Sequence, residues 1–140
     1  MSTHTNIHFC DGDIVRSNIY CQHDGYPKTV LADFADFFGT IKAELNDTRF
    51  WHSEQLAAKF VVWLAEKSAM KPDFSGDEVV DTPADSRFDF TDIGICIDDH
   101  DDIAFVYEVD CSSHDESGYP KVRWRYAFSH AWNEGLLDKE

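Results

Sequence analysis

Two segments of the chain combine a cysteine, a His-Asp pair and the tetrapeptide Gly-Tyr-Pro-Lys. The first runs from Cys21 to Lys28, and the second runs from Cys111 to Lys121. Both segments follow a strand-like stretch, and a histidine beside a carboxylate suits acid–base chemistry near neutral pH. Glycine and proline also recur in turns for backbone reasons alone, so a repeated turn formula is the alternative explanation.

A shared polar recess would result if both segments left the same end of a sheet, within one protomer or across a homodimer. Such a recess would capture a small molecule, for example a signalling nucleotide held by nearby bases. The residues predicted for this alternative ligand site are His23, Asp24, Tyr26, Lys28, His114, Tyr119 and Lys121. Because adjacent strand residues point to opposite faces, neither His-Asp pair is favoured as a catalytic dyad.

The four cysteines each have a histidine nearby, and thiolate plus imidazole is a zinc-binding combination. The chain has no Cys-x-x-Cys, however, and zinc sites usually use two closely spaced cysteines. With no export signal at the start of the sequence, we expect four free, mostly half-buried thiols, no metal and no cofactor. Motifs of phosphate-binding loops, serine hydrolases and zinc proteases are absent, so we predict no catalytic residues and no enzyme activity.

Acidic side chains dominate the surface chemistry, with a formal net charge of -15 in 140 residues. Such a field repels nucleic acid and anionic membranes and attracts basic surfaces. No apolar run approaches the roughly 20 residues of a membrane span, so we expect a cytoplasmic protein that binds a basic host protein or nucleoprotein complex. The predicted contact residues are Asp73, Asp77, Glu78, Asp81, Asp85, Asp89, Asp92, Asp98, Asp99, Asp101 and Asp102.

Acidity also has simpler explanations. It keeps proteins soluble, and the excess of aspartate over glutamate is typical of salt adaptation as well. The run from Asp98 to Asp102 joins two predicted strands, where a hydrated hairpin tip is the simplest structure; it lacks the central glycine and distal glutamate of an EF-hand. A basic stripe of Lys121, Arg123 and Arg125 is predicted to pair across the sheet with Glu108 and Asp110 rather than hold nucleic acid.

The first half of the chain predicts a hairpin followed by two helices within a single domain, 1–140. Alternating residues over 6–11 and 18–23 flank Asp11-Gly12, which is a hairpin signal. Helical spacing predicts one helix over 28–45 and a second that is capped by Ser53 and ends before Pro72. The inward residues of the second helix are predicted to be Leu56, Phe60, Trp63 and Leu64.

The second half predicts a long loop over 71–87 and then three strands. Their shared inward faces are Ile93, Ile95 and Ile97; Ile103, Phe105, Tyr107 and Val109; and Val122, Trp124, Tyr126 and Phe128. The tail over 129–140 is predicted to form a short docking helix. The order ββααβββ predicts an α+β domain, with a helical pair on one face of an antiparallel sheet of about five strands.

The N-terminal residues include Met1-Ser2-Thr3, Asp11-Gly12, and Ile19-Tyr20-Cys21 followed by Asp24-Gly25-Tyr26-Pro27. At these positions the chain resembles a family of small proteins carried by phages and plasmids. Gln22 and His23 depart from the histidine and aromatic residue that the family usually carries there. The resemblance implies a mobile-element origin. Combined with the acidity, it predicts a counter-defence inhibitor of anti-CRISPR or anti-restriction type that mimics DNA.

Overall fold

The computed structural model describes residues 3–22, 25–45, 52–69 and 93–136. They form an α+β fold in which two helices accompany a six-stranded sheet, so the predicted class and approximate sheet size are confirmed. None of the described helices is long and apolar enough to cross a membrane. In chain order the elements are β1 (Thr5–Asp11), β2 (Ile14–Cys21), α1 (Pro27–Leu45), α2 (Ser53–Ala69), β3 (Ile93–Cys96), β4 (Phe105–His114), β5 (Pro120–Tyr126) and β6 (Asn133–Glu134).

The sheet has the order β3-β2-β1-β4-β5-β6, with β1 and β4 as its central pair. That pair is parallel and every other pair is antiparallel, so the sheet is mixed and the predicted antiparallel sheet needs correction. β3 lies outside β2, and two strands, β2 and β1, lie between it and β4. The connection over residues 97–104 therefore crosses a face of the sheet instead of closing a hairpin. We call this connection the crossover segment.

The predicted N-terminal hairpin is confirmed. Gly12 has a φ of 61°, a value that glycine adopts without the steric cost of a Cβ, and this turn reverses the chain between β1 and β2. One register irregularity falls between Phe9 and Cys10. The turn thereby places Gly12 and Asp13 at the end of the sheet where β4 finishes.

One sheet face packs against the helices and forms the main core. Phe34, Phe37 and Phe38 of α1 and Phe60 of α2 are fully buried against Phe9 and other strand residues. Burying aromatic side chains of this size is the main source of stability for the layered arrangement. Both predicted helices are confirmed within a residue at their starts.

Ser53 differs in detail from its predicted capping role. It is the first residue of α2, and the carbonyl of His52 accepts the hydrogen bond from the Leu56 amide. The Ser53 hydroxyl donates instead to Asp11 Oδ2 at 3.1 Å. The helix start is thus tied to the end of β1.

Several residues predicted to face inward are exposed. Ile95 and Ile97 are 79% and 94% exposed, because β3 is a four-residue edge strand while α2 packs on β1 and β2. Phe128 is 93% exposed because β5 ends at Tyr126, which is itself exposed. The predicted docking helix is also wrong for the described part of the tail, where β6 pairs with β5.

Candidate functional site

The sheet face opposite the helices carries a row of polar side chains. Strand residues alternate between faces, so the neighbours of core residues Ile7, Phe9 and Ile19 point away from the helices. This second face presents Asn6 and His8 from β1, Asn18 and Tyr20 from β2, and Glu108 from β4. Asn6, His8 and Asn18 are nonetheless buried, since the crossover segment covers them.

The crossover segment is fastened to this face by side-chain hydrogen bonds. Asp99 Oδ1 accepts from His8 Nε2 at 2.6 Å and from Asn18 Nδ2 at 2.9 Å. The backbone amide of His100 donates to Asn6 Oδ1 at 3.0 Å. These bonds fix the middle of the acidic run against β1 and β2.

A second set of contacts fastens the segment near the start of β4. The imidazole of His100 stacks on Tyr20 with ring centroids 3.7 Å apart. Asp102 accepts hydrogen bonds from His4 Nδ1 at 2.7 Å and from the Tyr20 hydroxyl at 3.1 Å. The His4 and Tyr20 bonds hold the pKa of Asp102 below its usual value, so this carboxylate stays ionised.

His8 lies between two carboxylates. Its Nε2 faces Asp99 and its Nδ1 lies 3.4 Å from Glu108 Oε2, so both nitrogens act as donors only when the ring is protonated. Burial lowers the pKa of His8, but Glu108 and Asp99 outweigh burial and the net pKa is raised. The two carboxylates therefore favour the protonated form of His8, which links the crossover segment to β4.

Glu108 extends this chain of charges to β5. It accepts from Arg123 Nε at 2.8 Å and from Arg123 Nη2 at 2.6 Å, which is the predicted cross-strand pair. The His8 imidazole, together with Arg123, lowers the pKa of Glu108 despite its partial burial. Among the described residues every buried side-chain nitrogen and oxygen has a hydrogen-bond partner. The network is thus a structural clamp in which no buried polar side-chain atom is left unpaired.

Beside the clamp is a cleft of about 420 Å³, formed by the β1–β2 turn, β4, β5 and the tail around β6. Two bases line it, and one of them, Arg123, is already paired with Glu108. Lys121 is the other base. The carboxylates that line the cleft are Asp13, Glu108, Asp110, Asp115 and Glu134. We call this site the acidic cleft.

Two of the cleft carboxylates are held in place by backbone amides. Asp110 Oδ1 accepts from the amides of Gly12 and Ser112, each at 3.0 Å, and from the Ser112 hydroxyl at 2.6 Å. Burial raises the pKa of Asp110, but these bonds outweigh it and the net pKa is lowered. Asp115 Oδ1 accepts from the amides of Ser117 and Tyr119. The backbone thus fixes the positions of the Asp110 and Asp115 carboxylates.

The structure places the predicted acidic contact residues in three different situations. Asp99 and Asp102 accept hydrogen bonds from side chains of β1 and β2 although both residues are exposed, and the connection that carries them is a crossover, so the predicted hairpin tip is wrong. Asp98 and Asp101 are exposed. The seven remaining predicted contact residues lie outside the described residues: Asp73, Asp77, Glu78, Asp81, Asp85, Asp89 and Asp92.

The two Gly-Tyr-Pro segments lie at opposite ends of the sheet. β2 runs antiparallel to β1 and β4 runs parallel to it, so the ends of β2 and β4 point in opposite directions. Tyr26 contacts Phe105, the first residue of β4. Tyr119 follows the last residue of β4 and contacts Phe38 of α1. A shared recess within one chain is thereby contradicted.

The two glycines of these segments have different backbone roles. A Cβ on Gly25 would lie 2.6 Å from the Thr3 carbonyl oxygen, while Gly118 has a φ of 83°. Local backbone demands thus account for a glycine in each segment. Of the other predicted ligand residues, Lys28 and His114 are exposed, Lys121 lines the acidic cleft, and His23 and Asp24 lie outside the described residues.

The basic stripe on β5 is covered by the tail. The guanidinium of Arg123 lies 4.0 Å from the centroid of the Trp132 ring, and that of Arg125 lies 5.2 Å from it. Arg125 also donates to the carbonyls of Ala127 and Ser129. These two arginines are therefore committed to internal contacts.

The four cysteines are free thiols, as predicted, although Cys10 and Cys111 are fully buried. Burial, together with nearby carboxylates, raises the pKa of each of these two thiols to about 12. Thiols with so high a pKa are poor nucleophiles at neutral pH. Within the described residues no group of three or more His, Cys, Asp or Glu side chains converges to hold a metal ion.

Sequence reasoning did not identify the acidic cleft. Asp13 and Asp110 approach each other because β1 and β4 are parallel, a pairing between residues far apart in the chain. Glu134 joins them through β6, whose two residues carry no recognisable strand signal. The one available signal was the Asp11-Gly12-Asp13 turn, which identifies a carboxylate at a strand end.

No family model, no curated protein and no solved structure matches this chain. The resemblance to phage and plasmid proteins therefore stays a prediction.

Proposed function

We propose that this chain is an acidic binding protein that takes lysine and arginine side chains of a basic partner into its acidic cleft. In this role it acts as a counter-defence inhibitor that occupies the nucleic-acid-binding surface of a host defence complex. The main support for the proposal is the excess of acidic over basic side chains in the lining of the cleft. Five carboxylates line it against Lys121 and Arg123, and Arg123 is already neutralised by Glu108.

The shape of the site favours cations over anions. A concave surface lined by one sign of charge focuses the field and raises the local concentration of oppositely charged groups. A guanidinium donates two parallel hydrogen bonds to a carboxylate, and Asp13 and Glu134 are exposed and available for this geometry. Phosphate oxygens of a nucleic acid would meet these same carboxylates and be repelled.

The crossover segment adds to the field without forming the contact. Asp98 and Asp101 are exposed, while Asp99 lies on the clamped side and connects through His8 to Glu108 at the cleft. Exposed charges at a distance act mainly on the rate of encounter, and salt screens them over about 10 Å at 0.1 M. We therefore assign steering to Asp98 and Asp101.

An oligoarginine peptide is the direct probe of this proposal. The double variant D13N/E134Q removes two cleft charges, and the control D36N/E66Q removes two exposed charges from the helices. Calorimetry at fixed salt is expected to show a roughly tenfold weaker affinity for the cleft variant, equivalent to about 1.4 kcal/mol, and less than a twofold change for the control. Equal losses in both variants would show that net charge alone attracts the peptide.

A second candidate function is the capture of a small cationic molecule. The volume of about 420 Å³ lies within the range of ligand pockets, which supports this alternative. Titration with spermidine tests it, and titration with ATP tests the predicted nucleotide. Tight spermidine binding with weak oligoarginine binding would favour the second candidate. ATP binding at Lys121 would contradict both.

A further inference from the structure

We propose that the outer edge of β3 accepts an extended segment of a partner protein as an additional strand, and that this segment alternates apolar and basic residues. β3 pairs with β2 on one side only, and no described strand lies beyond it in the sheet. Edge strands expose unpaired backbone N–H and C=O groups, which pair readily with an incoming strand. This surface is separate from the acidic cleft.

The edge lacks most of the features that prevent strand addition. Natural edges are protected by short length, lysine, proline, an inward charge, a bulge or a covering element, and β3 has only the short length, of four residues, among those that its own residues could supply. β3 reads Ile93-Gly94-Ile95-Cys96, with no charge and no proline, and its pairing with β2 has no register irregularity. Among the described residues, the backbone groups on its outer side have no strand partner.

The side chains of β3 fit an apolar row on the incoming strand. Ile95 is 79% exposed and is paired in register with Ile19, which belongs to the helix-side core. Its side chain therefore lies on the helix side of the sheet, the side from which Val62 of α2 is also exposed. Alternate apolar residues of an added strand would cover Ile95 and remove it from water.

The negative charge of this chain determines which kind of strand can bind at the β3 edge. A second copy of this chain would bring another net charge of -15, and Asp98, which follows Ile97 just beyond β3, would approach the other copy's acidic residues. Like charges on neighbouring strands are destabilising, whereas opposite charges stabilise. An incoming strand with lysine or arginine at its polar positions would approach Asp98 and Asp101 favourably. We therefore choose a basic partner segment over a self-association.

A short peptide of alternating lysine and valine tests the proposal. Backbone amide NMR of the full chain is expected to show the largest shift changes at Gly94, Ile95 and Cys96. The same peptide with N-methyl groups on alternate residues cannot pair along one edge. Methylation of the pairing edge is expected to weaken binding at least about tenfold, whereas methylation of the other edge leaves affinity within about twofold.

Two protein variants with the same charge change complete the test. I95R places a positive charge and a bulky side chain at the edge, while I14R adds the same charge at an exposed position of β2 outside the β3 pairing. I95R is expected to reduce binding about tenfold and I14R less than about twofold. D13N/E134Q is expected to leave peptide binding at β3 intact, so failure of the cleft proposal and failure of this one are distinguishable.

Three results would overturn the proposal. The first is equal affinity for the methylated and unmethylated peptides, which would mean that charge alone attracts the peptide. The second is shift changes confined to cleft residues. The third is a concentration-dependent dimer that I95R abolishes, which would make a second copy the occupant of the edge.

Discussion

The crossover segment and the acidic cleft lie on the same face of the sheet, and both are rich in carboxylates, but they use these groups differently. In the crossover segment Asp99 and Asp102 accept hydrogen bonds from His8, Asn18, His4 and Tyr20. In the cleft the carboxylates outnumber the bases, and Asp13 and Glu134 remain exposed. The proposed binding role of the cleft therefore rests on its excess of carboxylates over bases, whereas part of the acidity of the crossover segment serves to fasten that segment to the sheet.

The largest expected effect comes from removing the cation of the clamp. H8A removes the buried imidazole that lies between Asp99 and Glu108, although Arg123 still pairs with Glu108. Removing one partner of a buried charge pair is strongly destabilising, and we expect a loss of about 3 kcal/mol in the free energy of unfolding. Urea denaturation followed by tryptophan fluorescence measures it.

H114A is the matched control, because His114 is exposed at the end of β4. Its free energy of unfolding is expected to stay within about 0.5 kcal/mol of wild type. If H8A and H114A unfold at the same urea concentration, the clamp contributes nothing to stability. The carboxylates of the crossover segment would then have no more structural role than those of the acidic cleft.

Two neighbouring aspartates of the crossover segment sharpen the comparison. D99N keeps the shape of the side chain but removes the charge that accepts from His8 and Asn18, so we expect a loss of about 1 kcal/mol after allowance for its partial exposure. D101N, at an exposed residue, is expected to change stability by less than about 0.5 kcal/mol. Thermal unfolding of both variants in one buffer gives the difference. A D101N loss as large as that of D99N would contradict the assignment.

The pH dependence of stability follows from the directions of the pKa shifts. The folded-state pKa of His8 is raised above 6.5, so its stabilisation is full below pH 6.5 and is lost as pH rises through the folded pKa. The pKa values of Asp99 and Glu108 are lowered, so their stabilisation is present above their ordinary values of 3.8 and 4.5 and is lost as pH falls. The clamp is therefore complete between pH 4.5 and 6.5.

The variant H8N isolates the His8 contribution to this pH dependence. The difference in unfolding free energy between wild type and H8N is expected to be largest between pH 4.5 and 6.5 and to decrease as the pH rises further. Urea denaturation at several pH values measures it. If the difference in unfolding free energy grows above pH 6.5, the folded state favours the neutral form of the His8 imidazole, which would contradict the raised pKa.

The helices and the hairpin could be predicted because their signals are local. Asp11-Gly12 supplied the positive φ of the turn, and the spacing of Phe34, Phe37 and Phe38 matched one helical face. Strand order could not be predicted from local signals. The sequence of the eight-residue connection over 97–104 does not show whether it closes a hairpin or crosses a face of the sheet. This ambiguity produced both the antiparallel assignment and the hydrated tip.

The exposed isoleucines show that local sequence signals also fail to predict which side chains are buried. Ile93, Ile95 and Ile97 alternate as a buried strand would, but burial requires a covering helix, and α2 packs on β1 and β2 instead. The acidic cleft depends on the parallel pairing of β1 with β4 and on the tail around β6. Neither could be predicted from the spacing of residues along the chain.

The most direct test compares the two regions by charge removal in the same binding assay. D13N/E134Q removes two charges from the acidic cleft, and D98N/D101N removes two exposed charges from the crossover segment. Oligoarginine affinity is measured for both variants at low and at high salt. We expect the cleft variant to lose about tenfold at both salt concentrations, and the crossover variant to lose less than about threefold, only at low salt. A larger loss for D98N/D101N than for D13N/E134Q at high salt would place the contact on the crossover segment and contradict the proposed role of the cleft.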